Sequence, residues 1–427
     1  MNTMRRAALA VWVACLAPSA FAGVLVVDSA GASGAYLEIQ AAVTAAAPGD
    51  LVLVRAGTYA AFVVAGKSLS IVADAAATVH VVGDCAIRGL PANSAVVCRG
   101  LAFGPPLVSP GTRLELTTNL GRIRVEDCSF APNDAIAIVT QPKPTVLVDA
   151  CTSVTFARCT STGRASPDAL DAACPALVVS DSTVRIESST LIGGDGADSQ
   201  MFSTSILPVA TAGAEALRVA GGDVFLGGSI VRGGQGGNGS GDMLTEPCDP
   251  PGQSGAGIVI AAPGGLVRSL ACTVVSGPPG LVHGFCEPLD PPKPIVVTAA
   301  PGTAQVVVLT GASNSAIADA TVDELGTASL LVIGVPGEFV FALIGVGPDA
   351  TFVPALSSVL YESATPLVVI ALGAIPASGT LSLSVPLQLS VPALSAVSGH
   401  VQAATCSGSG ECRLGSPTVV TILDSAL

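Results

Sequence analysis

The chain is poor in the side chains on which most active sites and binding grooves draw. Its 427 residues include three His, three Tyr and one Trp, and only 11% are charged. The three His (His80, His283, His400) are scattered and no Cys-x-x-Cys accompanies them, which excludes a zinc site of ordinary spacing. Lys+Arg number 18 against 31 Asp+Glu, so a net charge of −13 offers nucleic acid or an anionic membrane no basic surface. Scarce aromatic faces disfavour an extended sugar-stacking groove. No mature segment is an unbroken transmembrane span, because the best candidate, Ser329 to Gly347, is interrupted by Pro336-Gly337-Glu338. The 48 Gly and 31 Pro show no Gly-X-Y period, which excludes collagen.

Half of the residues are hydrophobic and the mean hydropathy is +0.68, which excludes disorder. Residues 1–22 carry the marks of an export signal: Arg5 and Arg6, an apolar stretch from Ala7 to Ala17, and Ala20-Phe21-Ala22 before the expected cleavage. A lipoprotein reading through Cys15 is disfavoured by Trp12 at the lipobox position. The mature chain opens with Val24 to Val27, then an Ala-rich helix over Leu37 to Ala47 in which Ile39 and Val43 are i,i+4 neighbours. Pro48-Gly49-Asp50 stops it, and a buried strand, Leu51 to Val54, leads to Ala56-Gly57-Thr58-Tyr59.

This succession, from Ile39 to roughly Asp74, resembles the entry of pectin-lyase-like right-handed parallel β-helices, in which a helix covers the first coil. An internal repeat supports a solenoid independently: an apolar residue, others seven and nine later, and a Ser or Cys five after the second. Leu116, Ile123, Val125 and Cys128 fit; so do Leu147, Val154, Phe156 and Cys159; Leu177, Val184, Ile186 and Ser189; and Leu217, Val224, Leu226 and Ser229. The register advances unevenly, so a constant core carries insertions at one corner. Expected is an all-β protein: a right-handed parallel β-helix with an N-terminal helical cap over 23–286, a Pro-rich linker over 287–294, and a C-terminal antiparallel β-sandwich over 295–427.

Export makes disulfides plausible. Cys128 and Cys159 occupy equivalent places in consecutive coils, about 4.8 Å apart by strand spacing, and form either a bond or two stacked core thiols. Cys85 with Cys98, Cys248 with Cys286, and Cys406 with Cys412 are loop-closing candidates.

The resemblance implies polysaccharide lyases or hydrolases, whose residues must be sought position by position. Beside the core residues the repeat reads Asp127, Arg158, Ser188, Gly228 at one level and Glu126, Ala157, Glu187, Gly227 at the next. No acidic column forms as in the family's calcium-dependent lyases. Asp127 beneath Arg158 reads as a surface ion pair worth about 0–1 kcal/mol. The hydrolases' Asp-Asp, Gly-His-Gly and Arg-x-Lys motifs are missing. Gly193-Gly194-Asp195-Gly196-Ala197-Asp198 and Gly233-Gly234-Gln235-Gly236-Gly237-Asn238 imitate calcium-binding nonapeptides, but Gln200 and Ser240 stand where apolar residues belong. Solvated corner loops are expected there, with Asp195, Asp198 and Asp242 a weak cation or ligand rim and no other cofactor. The expected function is a structural, adhesion or binding role for a secreted or cell-surface bacterial protein, with an extracellular polysaccharide or cell-surface component as partner. The alternative is a divergent polysaccharide lyase or glycoside hydrolase.

Overall fold

The computed structural model describes residues 23–104, 114–132, 143–166, 172–199, 210–239, 250–281, 289–300, 302–345, 348–362, 368–387 and 395–424. The expected export signal, Asp242, Cys248 and Cys286 lie outside them.

Nearly all regular structure is β, and its larger part is a stack of parallel strands in three rows. One row runs through Leu51–Val54, Leu69–Ala73, Ala95–Arg99, Arg122–Glu126 and Ser153–Ala157, through the later halves of Leu177–Glu187 and Leu217–Gly227, to Leu266–Leu270 and Gln305–Leu309. The second includes Cys85–Arg88, Leu114–Thr117, Val146–Asp149, the earlier halves of the same long strands, Ile258–Ile260 and Ile295–Val297. The third runs from Gly57–Ala60 to Thr273–Val275 and forms its own eight-stranded sheet. The long strands fuse the first two rows into one curled 16-stranded sheet. Alternate side chains point inward, so each coil adds one member to every inward column. Cys98, Val125, Phe156, Ile186 and Leu226 form one such column, all 4% exposed or less.

Three of the four repeat positions are in register, Ile123–Val154–Val184–Val224 being directly paired. The first is not. Leu116 pairs with Val148, and Leu147 points outward, because the bends after Leu114–Thr117 and Val146–Asp149 hold extra residues that the later coils lack. The parallel stack also runs further than expected: Ile295–Val297 and Gln305–Leu309 join it, so the Pro-rich stretch 287–294 is not its boundary. Those residues read as sandwich strands in sequence because short apolar runs look alike in either context.

At its first coil the stack is closed by the helix Ile39–Ala45, shorter than expected, which buries Ile39, Ala42 and Val43. Lys67 Nζ donates to the Val43 and Ala46 carbonyls at 2.5 and 2.7 Å, satisfying two carbonyls at the helix end. Glu38 and Gln40 side chains accept the amides of Ala60 and Val63.

The repeat's Ser or Cys has a backbone role. Gly100, Asp127, Arg158, Ser188, Gly228 and Ala271 all have φ between 49° and 74°, one left-handed residue per coil at the same bend. In each coil from Cys128 onward the next residue is Cys or Ser, and its side chain receives an amide from the coil before. Cys159 N–H donates to Ser189 Oγ at 3.0 Å and Ser189 N–H to Ser229 Oγ at 3.1 Å, while the Cys128 and Ser229 amides engage the Cys159 and Cys272 thiols. This ladder explains why Cys128 and Cys159 are thiols and not a disulfide. Cys85 and Cys98 are also thiols, each stacked in the core on the next coil, on Leu114 and Val125 respectively. Burial pushes Cys85, Cys98 and Cys159 up to about 12. Cys406 and Cys412, opposite each other in a hairpin, are disulfide-bonded.

The C-terminal strands form an eight-stranded sheet and a two-stranded one. Most pairs are antiparallel, but Ser315–Ala318 and Thr321–Asp323 pair parallel with Cys412–Leu423, a departure from the purely antiparallel expectation. These strands pack against the side of the stack, where Ala396 and Leu423 bury Leu51, Leu53 and Val72.

Candidate functional site

Two features gather polar groups or unusual backbone: the outward face of the first row, and the corner insertions.

On the outward face Arg124, Thr155, Arg185, Phe225 and Arg268 are successive paired neighbours, and Glu126, Ala157, Glu187, Gly227 form the adjacent column. Gly227 is required there, since a Cβ would collide with the Glu187 carboxylate. The pair foreseen between Asp127 and Arg158 forms, Arg158 Nε lying 2.7 Å from Asp127 Oδ1, but as part of a larger cluster. Arg99 Nε meets the other oxygen of Asp127 at 2.7 Å, Arg158 Nη2 reaches Glu126 at 3.0 Å, and Arg124 Nε reaches Glu126 at 2.5 Å. Glu126 is fully buried.

The C-terminal strands cover most of the cluster, leaving Asp127 with 30% of its side chain exposed. Arg158 Nη1 donates to the Pro417 and Ala316 carbonyls at 2.6 and 3.1 Å, and Arg99 to those of Ala318 and Val419. Val419 N–H donates to Glu126 Oε2 at 3.1 Å. Arg124 Nη1 donates to His400 Nδ1 at 2.7 Å. Burial, then the Arg124 charge, hold His400 well below its ordinary pKa, so the ring is neutral and accepts. Tyr361 hydroxyl donates to Glu187 Oε1 at 2.7 Å. Burial pushes the Glu187 carboxyl up to about 7 against the opposing effects of Tyr361 and Arg185. Burial also opposes the charge of Asp127, but Arg158 and Arg99 outweigh it and hold that carboxyl below its ordinary value. Further along, Asp223 bridges Arg185 and Arg268, and Arg268 lies 4.9 Å from the Phe352 ring centroid.

Sequence reading located the pair but not its cover, since the partners lie up to 320 residues away. The deeply buried groups of this cluster engage one another, C-terminal backbone, or the side chains of His400 and Tyr361. Such an arrangement fixes the docking geometry of the C-terminal strands more than it adds net stability.

The corner insertions differ from the expected solvated loops. Their described parts, 193–199 with 210–216 and 233–239 with 250–257, lie beside each other and beside 163–166, 172–176 and 276–281. Their backbones bond to one another, as in Gly194 N–H to Cys174 O, Ala214 N–H to Gly194 O, Gly234 N–H to Ala214 O, Gly255 N–H to Gly234 O and Gly277 N–H to Gly255 O. Glycine recurs every third residue, at Gly193 and Gly196, Gly233 and Gly236, Gly234 and Gly237, Gly252 and Gly255, and Gly277 and Gly280. Three residues per turn is the periodicity of polyproline II, a conformation with no internal hydrogen bonds that must find partners laterally. None of these glycines has positive φ, so the requirement is for space. A Cβ on Gly193 would collide with Ala214 O, on Gly234 with Gly194 O, and on Gly237 with Ala197 O.

Within this bundle Asp195 Oδ1 accepts the Gln235 amide and Asp198 Oδ1 the Asn238 amide, both at 2.7 Å, and Asn238 Oδ1 accepts the Leu281 amide at 2.8 Å. The two aspartates of the foreseen rim thus tie one insertion to the next. Among the described residues no group of three or more His, Cys, Asp or Glu is placed to hold a metal ion. The sequence signal for the bundle was the Gly-x-x-Gly spacing, hidden by its resemblance to a calcium repeat. No helix among the described residues is long and apolar enough to cross a membrane. No protein-family model matches this chain, and a search of curated proteins finds none similar to it.

Proposed function

We propose that this is a secreted or cell-surface protein built on a right-handed parallel β-helix with a docked C-terminal β-sandwich, serving a structural, adhesion or binding role toward an extracellular polysaccharide or cell-surface component. The observation that carries this reading is the division of labour between its two polar regions. Arg99, Arg158 and Glu126 on the outward sheet face are engaged with C-terminal backbone, while the described parts of the corner insertions form a laterally bonded glycine bundle, a rigid support for contact at one edge. Rigid projecting backbone lowers the ordering cost of binding.

The alternative is a divergent polysaccharide lyase or glycoside hydrolase; Glu187, whose carboxyl is raised by burial to about 7, lies buried beneath Tyr361 and does not face a substrate. One experiment separates them: purified protein on a panel of polyuronates and neutral glycans, with and without calcium, scored for unsaturated products, new reducing ends and retention. Retention without turnover is expected. Turnover of any member would establish the enzyme reading instead.

A further inference from the structure

We propose that the last coil of the parallel stack is a contact surface through which two copies of this chain associate end to end. The inward columns are buried along the stack and then stop uncovered. Val308 continues the column Phe156–Ile186–Leu226–Ser269, and Val297 continues Val148–Val179–Val219–Ile260. The earlier members of both are 7% exposed or less, whereas Val308 is 73% and Val297 47% exposed. Ile295, Val306 and Val274 are only partly buried against the same core. These are interior positions of a solenoid facing water.

The chain covers its other end with the helix Ile39–Ala45, whereas among the described residues no such element covers this one. After Leu309 it turns back along the side of the stack: Ala316 and Ala318 carbonyls lie on Arg158 and Arg99, and Leu423 reaches Leu51 and Leu53 near the capped end. Among the described residues no strand pairs with the outer edges of Ile295–Val297 or Gln305–Leu309. Their backbone groups await a partner, and within the two strands the edge has no Pro, no bulge and no inward charge, Lys293 and Pro294 standing only at the start of Ile295–Val297.

A second copy is the occupant these features favour. Thr273–Val275, Ile295–Val297 and Gln305–Leu309 carry no charged side chain in a chain of net charge −13, so two acidic molecules meet here without the repulsion that other faces impose. Gln305–Leu309 meeting its own counterpart antiparallel about a twofold axis supplies each edge with a strand of equal length and sets valine against valine.

The test is the mass of the purified protein by size-exclusion chromatography with light scattering, over a dilution series. The wild type is expected at twice the mass of one chain, and Val308→Lys and Val297→Lys at one, with unchanged circular dichroism because both positions are already exposed. Val369→Lys, at an exposed site on the C-terminal sheet, should keep the doubled mass. Hydrogen exchange supplies a readout without substitution: amides of Gln305–Leu309 should be protected at high concentration and exposed on dilution. A wild type monomeric throughout with concentration-independent exchange, or a doubled mass that survives both lysine variants, would overturn the proposal.

Discussion

Glu187 and His400, buried on opposite sides of one interface, make the folded state respond to pH in opposite senses. Glu187 has an ordinary value of 4.5 and a folded value of about 7, so between these limits the folded protein holds a proton that the unfolded chain has lost. Its contribution is complete below 4.5 and disappears as pH rises through 7. His400 is neutral when folded and protonates below 6.5 only when unfolded, so its contribution disappears as pH falls below 6.5. Glu187→Gln retains an acceptor for Tyr361 and removes the first effect alone. Denaturant titrations from pH 5 to 8 should show wild type losing about 3 kcal/mol relative to this variant as pH rises, the linkage value of a shift of that size. A pH-independent difference between the two proteins would contradict the assignment. The glycines give a second residue-scale test. Gly237→Ala should cost roughly 1–3 kcal/mol by overpacking, read as a lower Tm, while Gly408→Ala, with open space around its Cβ and ordinary φ, should be nearly neutral.

Among the elements, the capping helix is too short at seven residues to persist alone and depends on its contacts with the first coils. Lys67→Met would strip the Val43 and Ala46 carbonyls of their charged donor, and hydrogen exchange across Ile39–Ala45 is expected to quicken by an amount corresponding to about 1–2 kcal/mol, with little change beyond the first coils. The helix, the strand after it and the repeat were legible in sequence because burial imposes its period locally: Val154, Phe156 and Cys159 sit where inward columns and the amide ladder require them. The glycine bundle was not legible. Its three-residue period links only two or three glycines in each segment, and its meaning depends on carbonyls contributed by another insertion some 40 residues away, as Gly234 depends on Gly194. The end of the solenoid was misplaced for a related reason, since Val306-Val307-Val308-Leu309 reads the same whether its neighbours are parallel or antiparallel.

For the whole molecule, the buried charges couple stack and C-terminal strands into one unit. Glu126 is central, joined to Arg124, Arg158 and the Val419 amide. Glu126→Ala leaves cations buried without their counter-charge, which costs roughly 3–5 kcal/mol, and the loss falls at the junction between the two parts. Calorimetry should therefore show a single transition in the wild type divided into two in the variant. That junction was beyond sequence reading because it joins Arg99 and Glu126 to residues of the last strand, and only the Asp127–Arg158 stacking lay within one repeat. The same return of the chain has a mechanical consequence. Val24 and Leu423 pack in one small cluster at the capped end, so the two ends of the described fold are neighbours. A force applied between them does not run along the stack. It peels the outermost strands in sequence, whereas a load entering at the glycine corner spreads through backbone bonds across several coils, making the described fold a weak tether between Val24 and Leu423 and a stiff bracket at its side.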